Sequence, residues 1–380
     1  MFSRLYLHIP FCRAKCPYCA FVSREADGRL AGYPGLLLAE MRLAADGAAP
    51  ARPLESIYFG GGTPSLLEPG DTAGLIARAA ELFGLSPRAE ITLEANPGTV
   101  DRERLAGFRI AGINRLSLGV QSFDDRLLAT LGRIHTAREA QDAFAAARTA
   151  GFANIGIDLI HALPGQTTEM WRSDLEQALL LAPEHISVYG LTLEEGTPFA
   201  VRHADDPLLP DQDLAADMFE LAHDLLTGRG YEHYEIANYA LPGRRSRHNS
   251  GYWQRDGYLG VGAGAHSFLR DADYGTRFGN QADLDAYAAA IGRGILPRRD
   301  ITPLSREDAM AECMFLGLRM ADGVAFDRFE REFGVAPGDL YGRVFEELTS
   351  LGLLESDECK ARLTRRGWLL SNRVLSRFLP

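Results

Sequence analysis

The sequence predicts an α/β fold, a partial (β/α)6 TIM-type barrel followed by a small, mostly helical C-terminal domain of winged-helix-like type. Three observations carry this. Short β-branched and aromatic runs alternate with longer helical patterns over the first half of the chain, which implies parallel strands with crossover helices. Glycine and polar groups stand at or just past the ends of those runs, where a barrel of this kind assembles its chemistry. Beyond about residue 305 the strand-like runs give way to helical periodicity.

The six strands are expected over residues 5–9, 56–59, 90–94, 115–121, 155–160 and 185–191. Between them, residues 136–150 read clearly as a helix: Thr136 and Glu139 form a T-x-x-E capping box and Gly151 supplies a left-handed stop. The first strand is followed by a cysteine cluster and the second by Gly60-Gly61-Gly62-Thr63; the third, fourth and fifth finish at or near Glu94, Gln121 and Asp158. One such group is an ordinary turn signal, but five in register indicate a functional rim. A helix follows over residues 213–228, then an aromatic, glycine-rich stretch over 231–268 expected as strands and loops. Helices return over 305–320, 325–333 and 338–351, before a short segment at 353–363 and a terminal helix from Thr364. The expected domains are therefore 1–230 (partial barrel), 231–300 (a segment packed on it) and 301–380 (the helical unit).

Composition narrows the class. Of 380 residues 46% are hydrophobic and 24% charged, which excludes disordered, collagen-like and coiled-coil chains. Forty basic against 51 acidic side chains give a net charge of −11, unsuited to coating nucleic acid or an anionic membrane. No apolar run reaches the roughly eighteen residues of a spanning helix, and no secretory signal pattern opens the chain, so a cytoplasmic protein is expected. Three of the five cysteines fall within eight residues, a clustering that indicates metal rather than disulfides.

Cys12, Cys16 and Cys19 form a C-x3-C-x2-C array on the loop after the first strand. Thiolates so spaced can wrap zinc or an iron–sulfur cluster, but structural zinc sites generally need a fourth protein ligand, and no second cysteine pair exists. This array followed by GGGTP resembles the radical-SAM superfamily. Within it, LYLHIPFCRAKCPYC, IYFGGGTPSLL, EITLEANPGTV, INRLSLGVQSF, LGRIHT, IDLIHALPGQT, HNSGYWQRDGYLGVGAGAHS and ECMFLGLRM resemble, in order along nearly the whole chain, the HemW heme chaperones. These are relatives of the oxygen-independent coproporphyrinogen dehydrogenase, HemN.

The resemblance implies a 4Fe-4S cluster on the three cysteines, with one iron open to the amino and carboxylate groups of S-adenosylmethionine. Electron transfer into the sulfonium then releases a 5′-deoxyadenosyl radical. It further implies that Gly61, Gly62 and Thr63 meet the ammonium of S-adenosylmethionine and that Glu94 holds its ribose. Gln121, Arg133, Asp158 and Tyr6 match further positions of that pocket. A second motif, His248-Asn249-Ser250-Gly251-Tyr252-Trp253, matches the HNxxYW sequence associated with heme, which implies heme contacts at His248, Tyr252 and Trp253. Directly upstream, Arg244, Arg245 and Arg247 are suited to heme propionates. Gly260, Gly262 and Gly264 lack the order of a dinucleotide-binding loop and are expected as a backbone wall of the cavity. Cys313 and Cys359 are expected as small buried or partly buried residues, and the C-terminal arginines as a solvated face.

Two functions compete on this scaffold. A chaperone binds heme and hands it to acceptors such as respiratory cytochromes, with transient membrane-protein contact; a radical enzyme decarboxylates coproporphyrinogen or transfers a methyl group to a porphyrin. The dehydrogenases carry a further cysteine two residues after the third cluster cysteine, where this chain has Phe21, and a longer N-terminal extension, where only eleven residues precede Cys12. Both departures favour the chaperone, without coproporphyrinogen dehydrogenase activity.

Overall fold

The computed structural model describes residues 1–47, 50, 52–270 and 273–379. Six parallel strands, β1 (Arg4–Ile9), β2 (Leu54–Gly61), β3 (Leu85–Ala95), β4 (Arg115–Gln121), β5 (Ile155–His161) and β6 (His185–Gly190), stand side by side in chain order. Helices α1 (Tyr33–Ala45), α2 (Pro69–Phe83), α3 (Arg102–Ala111), α4 (Ala137–Thr149) and α5 (Thr168–Leu181) make the crossovers. Helix α4 carries the expected capping box, and Gly151 follows it at φ +89°.

Residues 231–300 do more than pack on this barrel. They supply β7 (Glu232–Glu235), β8 (Asn238–Ala240), β9 (Tyr258–Val261), β10 (His266–Leu269), β11 (Thr276–Asn280) and the first half of β12 (Arg298–Pro303) to the same twelve-stranded sheet. Strand β9 joins β1 in parallel, pairing Tyr6 with Gly260, and β8 joins β6 antiparallel, pairing Asn238 with Ser187. Both flanks of the barrel strands are thereby hydrogen-bonded, which satisfies backbone groups that an open sheet would expose.

Period-two alternation explains the barrel's two faces. Leu5, Leu7 and Ile9 on β1, Ile57 and Phe59 on β2, and Ile155, Ile157 and Leu159 on β5 are wholly buried in the main apolar core. The alternate residues are polar or glycine: Arg4, Tyr6 and His8; Ser56, Tyr58 and Gly60; Glu90, Thr92 and Glu94. They line the lumen.

The C-terminal unit has its own core, built on Met314, Phe329, Phe345, Leu348, Trp368 and Phe378. Helices Arg306–Gly317, Phe326–Phe333 and Pro337–Ser350 pack with a three-stranded sheet of Val324–Ala325, Lys360–Leu363 and Leu354–Ser356. A buried ion network ties it to the barrel: Arg255, with a side chain only 2% exposed, pairs with Glu312 at 3.2 Å and Glu332 at 2.7 Å.

Candidate functional site

The cysteine loop leaves β1 at its C-terminal end. Cys12 is buried, while Cys16 and Cys19 are partly exposed. The Cys19 N–H donates to the Cys16 carbonyl at 3.1 Å, which makes the C-x2-C half a tight turn. Burial pushes the Cys12 thiol above its ordinary pKa; the hydroxyls of Thr63 and Ser23 oppose the shift, and Cys19 and Cys16 add to it. A buried thiol that resists ionisation suits a cationic centre that takes it as thiolate. Among the described residues no three His, Cys, Asp or Glu side chains converge as ligands of one metal ion do. Thiols bound to different corners of a cubane need not converge, so the donor set fits an iron–sulfur cluster.

The glycine turn after β2 lies against this loop. Gly62 and Thr63 donate their N–H groups to the carbonyls of Ile9 and Phe11 at 2.9 and 2.7 Å. A Cβ on Gly62 would stand 2.6 Å from the Phe11 carbonyl oxygen, so a side chain is excluded there by backbone contact. Gly61, at φ +112°, donates its N–H to Glu94 Oε2 at 3.2 Å.

Glu94, at the end of β3, also accepts from the Tyr58 hydroxyl at 2.7 Å. Burial raises its pKa to about 7, with Asp158 adding and the Tyr58 hydrogen bond opposing. A diol that donates to Glu94 binds the ionised form better, so affinity for S-adenosylmethionine is expected to rise as pH rises through about 7. Glu94→Gln should weaken equilibrium binding and flatten this dependence between pH 6 and 8; an unchanged slope would remove Glu94 from the pocket.

Arg133 bridges the loop and β4, donating from Nη1 to Cys16 Sγ at 3.4 Å and from Nη2 to the Gly119 carbonyl at 2.7 Å. Gln121 stands at the β4 terminus with φ +71°, a left-handed conformation uncommon for a residue with a side chain, where the pairing with β5 shifts register. Strand β5 runs on to His161, so Asp158 lies inside the lumen rather than at its rim, held by Ser117 Oγ at 3.1 Å. Tyr6 stacks on Tyr58, with centroids 6.1 Å apart, and its hydroxyl bonds His8 Nδ1 at 3.0 Å. Thr92 Oγ1, Arg115 Nε and Nη1, and Arg133 Nε are buried with no partner in the protein, leaving unmet polar capacity inside the barrel. The lumen thus fits a polar ligand lying against the cysteine loop. A cluster held on Cys12, Cys16 and Cys19 would supply an electron to such a ligand, which the residues described would hold.

The HNxxYW motif lies elsewhere. Its residues form the short helix α6 (Arg247–Trp253), which sits at the N-terminal ends of β2 and β3, opposite the cysteine loop. Glu90 accepts from the N–H groups of Arg247 at 3.1 Å and His248 at 3.0 Å, a carboxylate on a helix N-terminus. His248 is wholly buried: Nδ1 bonds Ser56 Oγ at 2.8 Å and Nε2 bonds Tyr252 Oη at 2.7 Å. Gly251 is small because the Arg4 guanidinium crosses the helix where a Cβ would stand. Trp253 is partly exposed and borders a cavity of about 100 Å³ with Cys313, Met320 and Arg328, and Arg319 lies 4.3 Å over its ring.

The upstream basic run is largely consumed within the fold: Arg245 pairs with Glu232 and Asp322, and Arg247 donates to the Arg88 carbonyl, while Arg244 is exposed. The glycine run at 260–264 is a wall beside the cysteine loop, with Gly264 facing Val22. Cys313 is partly buried but Cys359 is exposed. Sequence reading passed over His8, Tyr58 and Arg115, whose signal was the polar residue at every second strand position.

A partial barrel with three cysteines on its first loop, a glycine turn pressed against them and a carboxylate beyond defines a radical-SAM protein. Residues 6–178 match the radical SAM superfamily, and residues 304–370 the HemN C-terminal domain. The radical-SAM domain implies a 4Fe-4S cluster and S-adenosylmethionine as cofactors. The chain belongs to the HemW family. It is 39% identical to the heme chaperone HemW of Lactococcus lactis, over 98% of this chain and 96% of that one. It is 37% identical to the heme chaperone HemW of Escherichia coli, over 99% and 97%. The solved structure of coproporphyrinogen III oxidase (HemN) from Escherichia coli superposes with a TM-score of 0.85 at 25% identity, covering 99% of this chain and 90% of that one. Among the described residues no helix is long and apolar enough to cross a membrane.

Proposed function

We propose that this protein is a cytoplasmic heme chaperone that binds heme and passes it to acceptor proteins, respiratory cytochromes among them, while carrying a 4Fe-4S cluster and S-adenosylmethionine. The observation that carries this reading is the near full-length likeness to heme chaperones. Phe21 supports it: the side chain is 68% exposed on the cysteine loop, where the dehydrogenases have another thiol. In this reading residues 1–230 hold the cofactors, 231–300 carry the heme motif, and 301–380 form the HemN-type domain.

Heme contact is assigned to His248, Tyr252 and Trp253. With both ring nitrogens of His248 engaged, an iron–imidazole bond requires α6 to withdraw from the barrel floor. Trp253 lies on the outer side of α6, partly exposed, and the cavity of about 100 Å³ that it borders would have to widen to admit a porphyrin. The likeness to coproporphyrinogen III oxidase keeps a second reading in play, radical chemistry on a porphyrin. One experiment separates them: titrate reconstituted protein with heme, and assay coproporphyrinogen decarboxylation anaerobically under reducing conditions. A saturable Soret shift without turnover is expected; robust turnover would overturn the chaperone reading.

A further inference from the structure

The two motifs that sequence reading treated separately lie at opposite ends of one lumen, and side chains join them. Glu94 accepts from Gly61 N–H and from the Tyr58 hydroxyl. The Tyr58 ring packs on the His248 imidazole with centroids 5.0 Å apart and planes 34° apart. His248 Nε2 then bonds Tyr252 Oη within α6. A second chain runs beside it. The Val22 carbonyl on the cysteine loop bonds His8 Nε2 at 2.7 Å, His8 Nδ1 bonds the Tyr6 hydroxyl, and the Tyr6 ring lies 6.5 Å from His248.

We propose that Tyr58 is a positioning residue that couples occupancy of the S-adenosylmethionine pocket at Glu94 to the stability of the HNxxYW helix. The inference rests on assigning Glu94 to that pocket and is independent of whether heme is transferred. The physical basis is the carboxylate. Ribose hydroxyls donating to Glu94 favour its ionised form, and an ionised acceptor strengthens the hydrogen bond from Tyr58. A more firmly held Tyr58 ring restricts the imidazole packed on it, and α6 opens less often. Coupling is reciprocal, so withdrawal of α6 weakens the hold on S-adenosylmethionine by the same factor. Besides Glu94 and His248, the Tyr58 ring stacks on Tyr6, which also packs near His248.

The test is hydrogen exchange of the 246–256 segment in cluster-reconstituted full-length protein, with and without saturating S-adenosylmethionine, whose binding is checked by equilibrium dialysis. The expected result is slowing of exchange by about fivefold or more in the unmutated protein. In Tyr58→Phe that keeps its bound ligand, the slowing is lost. Ser56→Ala, which releases His248 Nδ1 without touching Glu94, should speed baseline exchange yet keep the ligand-induced slowing. A merely structural role for Tyr58 would alter the baseline alone. Unchanged exchange in the unmutated protein with ligand bound, slowing that survives in Tyr58→Phe, or slowing abolished equally by Ser56→Ala would each overturn the proposal. Because no heme is present, none of these outcomes decides the chaperone reading.

Discussion

Protein with Cys12, Cys16 and Cys19 all replaced by serine should be colourless after anaerobic reconstitution, and its iron and sulfide content should fall to background. The expectation follows from ligand chemistry: thiolates bind iron–sulfur clusters, whereas a serine hydroxyl titrates far too high to replace them. The change is mild for the fold, since the largest core cluster is formed by other residues and only Cys12 of the three is buried. Binding of S-adenosylmethionine should fall with the cluster, because the open iron is lost while Glu94 and the glycine turn remain. Brown absorbance surviving in the triple variant would show that the ligands are wrong.

His248→Ala should lower the unfolding free energy by about 3 kcal/mol, measured by chemical denaturation at pH 7. The substitution empties a fully buried site between Tyr58, Tyr6 and Tyr252 and removes the ring's hydrogen bonds to Ser56 Oγ and Tyr252 Oη. Burial, with Arg4 and Arg115 adding to it, holds the imidazole well below its ordinary pKa, so it is neutral in the folded protein at pH 7. The unfolded chain takes up a proton below about pH 6.5 while the folded one does not, so this histidine's contribution is lost as pH falls from there. The gap between His248→Ala and the unmutated protein should therefore narrow between pH 7 and 5. A loss under about 1 kcal/mol would show that the imidazole is not a structural part of the barrel floor. Weaker heme binding by this variant must be read against its stability, and Trp253→Ala, at the cavity edge, gives the cleaner comparison.

The parallel strands were legible because they are dense in Val, Ile and Leu, and α4 because its cap chemistry is local. The strands within residues 231–268 were expected only as a group without bounds, and those of 276–303 were not, since they are short and mixed in polarity, and β9 earns its place by pairing with β1 some 250 residues away. Cys12, Cys16, Cys19, Gly61, Gly62, Thr63, Glu94, Gln121 and Arg133 do gather at one end of the barrel. Arg133 reaches Cys16 although 117 residues separate them. Asp158 stands two residues before the end expected for its strand and three before the observed end at His161. Of the arginines at 244–247, Arg245 looked available for an anionic ligand because Asp322, one of its two partners in space, is distant in sequence.

By itself, then, the sequence determined the class of fold, the metal-binding character of the first loop and the identity of the chemical groups. Spacing within one loop and periodicity within one strand set these, and both are local quantities. Only the tertiary structure decided that the cysteine loop and the HNxxYW helix close opposite ends of a single polar lumen, and that His248 is a buried, doubly hydrogen-bonded ring. Chain order says nothing about which end of a barrel a later helix will cap. That choice is made by a carboxylate at Glu90, an arginine at Arg4 and two tyrosines, which become neighbours only when the strands bearing them align.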